Sequence, residues 1–575
     1  MNIQVNRSFA LLCFLLHLPV LFILSPGSCR AETIPADFIT GADISELAAQ
    51  ENSGVRYYDE NGNEADALSI LSDHGVKAVR IRIWNDPFDE NGNGYGGGNI
   101  NAETAAALSA RAAGYGMKTL LDFHYSDFWA DPSRQLVPKA WQTLNLKEKS
   151  EALYAYTRES LALVLDAGGD VFMVQVGNEI NNGMCGESDL EAMAELISAG
   201  CRAVRDTAAE RGLTIRTAIH LTDLQDTGRV IEITSDLAGA GAEFDAVGLS
   251  YYPYWHGSLR DLAAAVSSIR DLGKEVFIAE TSWPFSLTTG DGWGDVIGED
   301  PGIYPVSAEG QAQAVREVCE AASHAGADGV YYWGSIWTPV GSDADTNREL
   351  WEKYGSGWAS SYSVSYDPEH TADSYGGCAW DNQAMFGYDG RPLPVLDLYR
   401  QIAAGNITYD PDALFPPEEA APAAEQDAGN LVRNPSFEEE DRSMWVPASN
   451  KEDIPYDYQN KSNDAQSGNI AFHFWSAQDM DFSIEQTVTG LAEGAYEASV
   501  WSQGGDMKDA SMTFYVKADG QLYEASFMNT KWIDWQHPVI SGIPVTSGEL
   551  TLGVHIICGA KSWGTLDDFS LTMLP

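Results

Sequence analysis

The sequence predicts an α/β protein, a closed parallel (β/α)8 TIM barrel followed by a smaller all-β jelly-roll sandwich. Three observations predict it. Between about residues 36 and 404, eight short apolar runs alternate with Ala-rich amphipathic stretches, the pattern of strand–helix units around one parallel sheet. A Pro/Ala/Glu-rich stretch follows, and beyond it the texture changes to alternating runs broken by Gly turns. No Gly-rich phosphate turn follows the first strand, which makes an open doubly wound sheet the weaker alternative.

The chain opens with a signal-peptide pattern over residues 1–31: Arg7, an apolar run from Phe9 to Leu24, and a small-residue cleavage site at Cys29-Arg-Ala31. Cys29 raises a bacterial lipid anchor as an alternative, but Pro26-Gly-Ser before it is a poor lipobox, so secretion is expected. No later segment approaches the roughly 20 apolar residues of a membrane span.

Strands are expected at Phe38–Ile44, Ala78–Trp84, Thr119–Tyr125, Val171–Val176, Ile215–Leu221, Ala246–Tyr252, Val276–Ala279 and Gly329–Trp337. Helices are expected between them, including Ala102–Gly114, Lys147–Ala167, Leu190–Arg211 and Ala308–Ala325. The loops after the strands are rich: Asn85–Asn99 in Asn, Gly and Asp, Ser126–Leu146 with Trp129 and Trp141, and Thr338–Arg391 with Trp351, Trp358 and Trp380. In a barrel of this kind these loops carry the chemistry. Residues 36–405 therefore form the catalytic unit, 406–429 a Pro/Ala/Glu linker, and 430–575 a β-sandwich.

Composition narrows the partners. The net charge of −50 disfavours nucleic acid, acidic membranes and polyanionic substrates. The 17 Trp and 25 Tyr suit a sugar-binding protein, since flat rings stack on pyranose faces, although many rings simply fill cores. Five Cys remain after the leader, an odd number with no zinc-like spacing, and their pairing cannot be read. Nothing calls for an oligomer, so a monomer is expected.

Two strands end in glutamate. One is Val171-Phe-Met-Val-Gln-Val-Gly-Asn-Glu179, the other Val276-Phe-Ile-Ala-Glu280-Thr-Ser-Trp-Pro284. A carboxylate at the C-terminal end of a barrel strand sits at the active-site face. Two of them across one mouth are the apparatus for glycosidic hydrolysis, with a separation of about 5–5.5 Å predicting retention and about 6.5–9.5 Å inversion. Asn178 can bond a sugar 2-hydroxyl. Arg82, nearer than Arg80 to the end of its strand, is the candidate partner that keeps Glu280 ionised, with Tyr252 as a hydroxyl donor to the same group. His124, at the end of strand three, is a candidate for sugar hydroxyls.

Six stretches resemble family 53 of the glycoside hydrolases, the endo-β-1,4-galactanases. They are Val79-Arg-Ile-Arg-Ile-Trp-Asn-Asp-Pro87, Leu121-Asp-Phe-His-Tyr-Ser-Asp-Phe-Trp-Ala-Asp-Pro132, Gln175-Val-Gly-Asn-Glu-Ile180, Ser250-Tyr-Tyr-Pro-Tyr-Trp-His-Gly257, Glu280-Thr-Ser-Trp-Pro284 and Tyr331-Tyr-Trp-Gly-Ser-Ile-Trp-Thr-Pro-Val-Gly341. The resemblance implies a retaining attack on β-1,4-galactan, the side chains of type I arabinogalactan and pectin, with Glu179 as acid/base and Glu280 as nucleophile. Trp337 is expected as a platform under the sugar, Trp84 and Trp283 as cleft lining, and Asp127 as a motif residue that binds substrate or shapes its loop. No cofactor is needed for the chemistry.

Bacterial relatives often hold calcium in the loop after strand seven. Here that loop reads Thr289-Gly-Asp291-Gly-Trp293-Gly-Asp295. Asp291 and Asp295 are candidate ligands through oxygen, although a Trp stands where a ligand is expected and a solvated acidic turn is the plain alternative. The C-terminal sandwich resembles the galactan-binding modules of family 61, with Trp475, Trp501, Trp532, Trp535 and Trp563 as sugar-binding candidates. Two other readings stay open: a non-catalytic galactan-capture protein, and a related β-mannanase or endoglucanase.

Overall fold

A computed structural model describes residues 31–574 apart from 342, 372–375, 416–428, 440, 450–455, 462–463 and 533. The expected leader, with Cys29, and most of the expected linker lie outside the described residues.

Eight parallel strands close into a barrel: β1 Ile39–Asp43, β2 Ala78–Ile83, β3 Lys118–Phe123, β4 Val171–Val176, β5 Arg216–Leu221, β6 Ala246–Ser250, β7 Glu275–Thr281 and β8 Gly329–Tyr332. They neighbour one another in sequence order, and β8 pairs with β1 to shut the ring. Helices Ala102–Gly114, Leu146–Asp166, Leu190–Arg211 and Ala308–Ala325 are among those that connect them. The helix Leu146–Asp166 starts where its sequence says it should, with Asn145 and Glu148 forming a reciprocal capping box.

The barrel interior is layered by the two-residue repeat of its strands. The lower layer is apolar and includes Ala78, Leu120, Met173, Ala218, Phe277 and Tyr331, all buried. Gly41 has to be glycine: a Cβ there would lie 2.2 Å from the Tyr331 ring. Two residues further along four of those strands come Arg80, Asp122, Gln175 and His220, equally buried but polar. The site stands on this polar layer.

β8 is shorter than expected. At Gly334 the backbone turns into the left-handed region, φ 66°, and a Cβ would meet the Trp380 ring at 2.9 Å. Trp337 therefore sits in the turn beyond the strand. The ordered barrel unit also runs further than residue 405. Thr408–Tyr409 pairs antiparallel with Glu32–Thr33, and Ile407 and Tyr409 are buried. None of the five described cysteines forms a disulfide, and all are buried; no helix among the described residues is long and apolar enough to cross a membrane.

The C-terminal unit is two five-stranded antiparallel sheets. In one, Tyr456–Asn460, Ile470–Trp475, Trp563–Met573, Gly494–Gly505 and Val539–Val545 lie side by side. Alternation on these strands sends Phe472, Phe474, Tyr496, Ala498, Val500 and Leu571 into a shared core with Phe482, Phe514 and Val554 of the other sheet.

Candidate active site

Glu179 stands three residues beyond β4 in the left-handed region, φ 46° and ψ 54°. That conformation is costly for a residue with a Cβ and is maintained where the surroundings demand it. Here it brings the carboxyl into a cleft of about 760 Å3 at the C-terminal mouth of the barrel. Its Oε1 is hydrogen-bonded to Ser250 Oγ at 2.7 Å. Glu280, on β7, lines the same cleft. Its Oε1 lies 2.9 Å from Arg80 Nη1, and its Oε2 accepts from the Tyr252 hydroxyl at 2.8 Å.

The two carboxyls are thus alike in chemistry and unlike in surroundings. Burial pushes Glu179 up to about 8, the negative charge of Glu280 adds to this, and Asp131 and Asp223 contribute in the same sense. The Ser250 hydroxyl opposes them, and among the described residues no ion pair reaches Glu179. Burial also raises Glu280, but the Arg80 guanidinium and the Tyr252 hydroxyl both draw it down. Of the pair, Glu280 is the one equipped to be the anion and Glu179 the one equipped to carry a proton.

Arg80, not Arg82, serves Glu280, which corrects the sequence-based expectation. Arg80 Nη1 also meets Asp43 at 3.0 Å, and Nη2 meets Asp122 at 2.8 Å and the Asn178 Oδ1 at 2.8 Å. Arg82 is held elsewhere. Its Nη2 donates to Glu46 at 2.6 Å and to the Gly97 carbonyl at 2.7 Å, and its guanidinium lies over the Trp129 ring at 4.0 Å. Two arginines on one strand face look equivalent in sequence. The carboxylates within reach of each tell them apart.

Asn178 lines the cleft beside Glu179. Its Oδ1 is engaged by Arg80 and His220, and one amide N–H goes to the Ala130 carbonyl at 2.8 Å. The second amide proton is the one left for a ligand.

A paired set of glutamates, one cation-bound and one proton-holding, at strand-four and strand-seven ends of a barrel is glycosidase geometry. A model of Glycosyl hydrolase family 53 matches residues 39–399. The chain belongs to glycosyl hydrolase family 53. It is 45% identical over 385 residues to the endo-beta-1,4-galactanase of Bacillus subtilis (strain 168), covering 66% of this chain and 89% of that one. To the arabinogalactan endo-beta-1,4-galactanase of Cellvibrio japonicus (strain Ueda107) it is 33% identical over 334 residues, 56% of this chain and 85% of the relative. Among solved structures, the GH53 catalytic domain of Ignisphaera aggregans matches with a TM-score of 0.57 at 35% identity, covering 65% of this chain and 99% of that chain.

The family 53 cleft is walled by aromatics, though not all the expected ones. Trp337 lines it, 2% exposed, its Nε1 tied to the Ser356 carbonyl at 2.9 Å. Trp129, Trp333, Trp358 and Trp380 join it, with Trp255 and Trp293 also lining the cleft. Trp84 and Trp283 do not line it. Both are 0% exposed, Trp84 donating to His124 Nδ1 at 3.2 Å and Trp283 to the Pro305 carbonyl at 3.3 Å. Strand parity cannot tell an indole facing the mouth from one folded beneath it.

His124 is also corrected, while Asp127 takes the loop-shaping alternative. His124 lines the cleft, but Nε2 is 3.0 Å from Asp122 and Nδ1 accepts from Trp84 and Ala130, so neither nitrogen is free for sugar. Asp127 accepts from the backbone N–H of Asp86 and of Lys139 at 3.0 and 2.7 Å, pinning two loops together. Missed altogether were Ser250 and His220. Their signal was available: Ser250 ends β6 as the glutamates end their strands, and His220 has the inward parity of β5.

Asp291 and Asp295 come together with Asp381 from the loop beyond β8. Asp291 accepts from the backbone N–H of Trp293 and Cys378 at 2.7 and 2.9 Å. Burial, and then mutual repulsion, pushes Asp295 up to about 7 and Asp381 to about 9. Asp295 Oδ1 is buried with no partner among the described residues. An orphaned acceptor amid mutually repelling carboxyls is what a hard cation relieves. A second acidic group, Glu60, His74 and Asp397, is filled by its own cation: Arg400 Nη2 lies 3.0–3.1 Å from the His74 nitrogens.

In the sandwich, Trp475 and Trp563 are cross-strand partners on one sheet. Trp475 is 51% and Trp532 46% exposed. Trp501, on the same sheet, stacks on His537 at 4.0 Å, and Trp532 Nε1 donates to Asp464 at 2.8 Å. Trp535 is half-buried.

Proposed function

We propose that the barrel is an endo-acting, retaining β-1,4-galactanase that cleaves the galactan side chains of type I arabinogalactan and pectin. The observation that carries this is the unequal pair, Glu280 clamped by Arg80 and Tyr252 and the Glu179 carboxyl bonded, among the described residues, to Ser250 alone. Family membership and the names of the Bacillus subtilis and Cellvibrio japonicus relatives supply the linkage.

Glu280 attacks the anomeric carbon while Glu179 protonates the departing glycosidic oxygen. Water then displaces Glu280, with Glu179 taking the proton back. The Tyr252 and Arg80 bonds hold the Glu280 carboxylate in line for attack, and the free Asn178 proton addresses the 2-hydroxyl, where contact strengthens as charge develops on the ring. Trp129, Trp333, Trp337 and Trp358 offer flat surfaces to galactose rings along an open cleft, which suits internal cutting.

The remaining features fit an extracellular polysaccharide enzyme. The leader directs secretion, and the protein acts as a monomer. The sandwich is a tethered galactan-binding module that raises local concentration on the polymer. Asp295 and Asp381, backed by Asp291, hold a calcium ion that ties the loop after β7 to the loop after β8; it supplies structure and takes no part in the reaction.

The test is incubation with debranched potato galactan, with released sugars resolved and the anomeric configuration followed by NMR. Short β-galacto-oligosaccharides appearing first as the β-anomer support the substrate, the endo action and the retention together. An α-anomeric first product overturns retention. Cleavage of β-mannan or β-glucan with galactan untouched moves the specificity, and inertness on all three makes the chain a capture protein.

A further inference from the structure

His220 is wholly buried on β5, and both its ring nitrogens have partners. Nδ1 lies 2.8 Å from Asn178 Oδ1, and Nε2 lies 2.9 Å from Ser250 Oγ. Ser250 Oγ is in turn 2.7 Å from Glu179 Oε1. Four side chains form one continuous hydrogen-bonded chain, and the donor–acceptor inventory dictates where its protons lie.

The accounting starts at Asn178. Its Nδ2 donates to the Ala130 carbonyl and its Oδ1 accepts from Arg80, each at 2.8 Å, so the amide cannot be reversed. An oxygen acceptor 2.8 Å from His220 Nδ1 requires a proton on Nδ1. Gln175 Nε2 is 3.2 Å from the same nitrogen but has Asp122 Oδ1 at 2.5 Å and the Gly177 carbonyl at 3.1 Å for its two protons. The ring is neutral: burial, and then the Arg80 charge, hold His220 well below the ordinary histidine range. A neutral ring protonated on Nδ1 has a bare Nε2, so the Ser250 hydroxyl donates to it. With that proton committed, the contact between Ser250 and Glu179 needs a proton on the glutamate.

We propose that His220, acting through Ser250, is a positioning residue that holds Glu179 in its acid form between turnovers. When Glu179 gives its proton to the glycosidic oxygen, Ser250 turns its hydroxyl to the carboxylate and leaves His220 Nε2 facing an oxygen lone pair. When the incoming water returns a proton to Glu179, Ser250 turns back. No covalent bond to either residue forms or breaks. The inference rests on the reading of Glu179 as the acid/base.

Other titratable and charged groups face the two ends of this chain. Glu179 sees the carboxyls of Glu280, Asp131 and Asp223, and His220 sees Arg80, Asp122, His124 and His256. Glu280 gives up its charge only when it forms the glycosyl-enzyme; in the free enzyme these groups are the same whichever way the hydroxyl points, so there the rotation of Ser250 makes its own contribution to the proton affinity of Glu179.

His220→Leu cannot accept a hydrogen bond, which frees Ser250 to donate to the Glu179 carboxylate. The basic limb of kcat/KM, which reports the acid in the free enzyme, is then expected to move down by about one pH unit, the worth of one hydrogen bond. Adding Ser250→Ala removes that donor and is expected to return the limb upward. A limb that stays in place while activity falls equally at all pH values overturns the proposal. A second measurement needs no variant and no substrate: long-range 1H–15N correlation spectra of 15N-histidine-labelled wild-type protein. The proposal requires the Nδ1–H tautomer for His220 below the basic limb. An Nε2–H tautomer or an imidazolium there rules it out, whatever polysaccharide the enzyme proves to cut.

Discussion

Arg80 Nη1 reaches Glu280 Oε1 at 2.9 Å, while Arg82, two residues along the same strand face, turns to Glu46 instead. One strand thus carries one arginine for the chemistry and one for the wall, since the Arg82 guanidinium packs on the Trp129 ring.

The two arginines should separate by assay. Arg80→Ala leaves Asp43, Asp122 and Glu280 without their shared cation, a change expected to cost about 3–5 kcal/mol of stability and to abolish turnover. Arg80→Lys restores one charge but not the several directed N–H groups, and is expected to recover folding ahead of kcat. Arg82→Lys should retain kcat and raise KM as Trp129 loses its support. Thermal melts alongside kcat and KM on soluble galactan decide it; an Arg80→Lys enzyme with wild-type kcat would exclude the assigned role.

Tyr252→Phe tests the other clamp on Glu280. A hydroxyl donating to a carboxylate favours the charged form, so its loss raises the pKa of Glu280. Glu280 must be ionised to attack, and the acid limb of kcat/KM is therefore expected to move to higher pH by about one unit. The basic limb should remain near the value of about 8 to which its surroundings push Glu179. These are macroscopic limbs of a coupled pair, so both should be fitted together. A variant slower by the same factor at every pH would show that the hydroxyl positions substrate instead.

Much of this was legible in the sequence because it rests on strand ends. The eight apolar runs gave eight strands, and Asn178, Glu179, Tyr252 and Glu280 all lie at or just past the end of one. What failed depended on direction at a fixed height. Trp84 and Trp283 fold under the mouth, and His124 spends both nitrogens on protein partners. Choosing Arg82 over Arg80 followed height along the strand, whereas Glu46, supplied by the turn after β1, decided the matter. The Asp295–Asp381 association joins residues from two loops and leaves no local pattern to read.

Glu179→Gln keeps the nucleophile and removes the acid. On natural galactan it is expected to lose about 10²–10⁴-fold in rate, yet on a galactobioside with an activated aryl leaving group it should still form the glycosyl-enzyme. Azide, small and needing no base, should then accelerate turnover and yield a β-galactosyl azide. Glu280→Gln should be inert under both conditions. An α-configured azide product would point to inversion and remove Glu280 from its role.

Calcium should register as stability. If the ion binds the folded barrel alone, the melting temperature rises with free calcium and falls with chelator. Asp295→Asn, which keeps the shape and removes the charge, is expected to melt at one temperature in either condition. Catalysis at a temperature well below the melt should be unchanged by chelator, because the carboxyls sit among the loops and not on Glu179 or Glu280. Identical melts of the wild-type protein with and without calcium would make the cluster a protonated acidic turn.

The module can be tested apart from the barrel chemistry because two of its candidate rings, Trp475 and Trp563, share a sheet. Trp475 and Trp563 face each other across adjacent strands, and the Trp563 ring lies over Gly505, where a Cβ would be 3.2 Å away. Adjacent indoles on one sheet form a surface on which consecutive sugar rings can stack, and each is expected to contribute about tenfold to affinity. Trp475→Ala and Trp563→Ala in the full chain should each retard less on galactan affinity gels while hydrolysing short soluble galacto-oligosaccharides at the wild-type rate. Gly505→Val would crowd the Trp563 ring from beneath without removing any indole, and should weaken binding in the same assay if the ring's placement matters. Unchanged retardation in all three would move the binding surface to Trp501, Trp532 and Trp535.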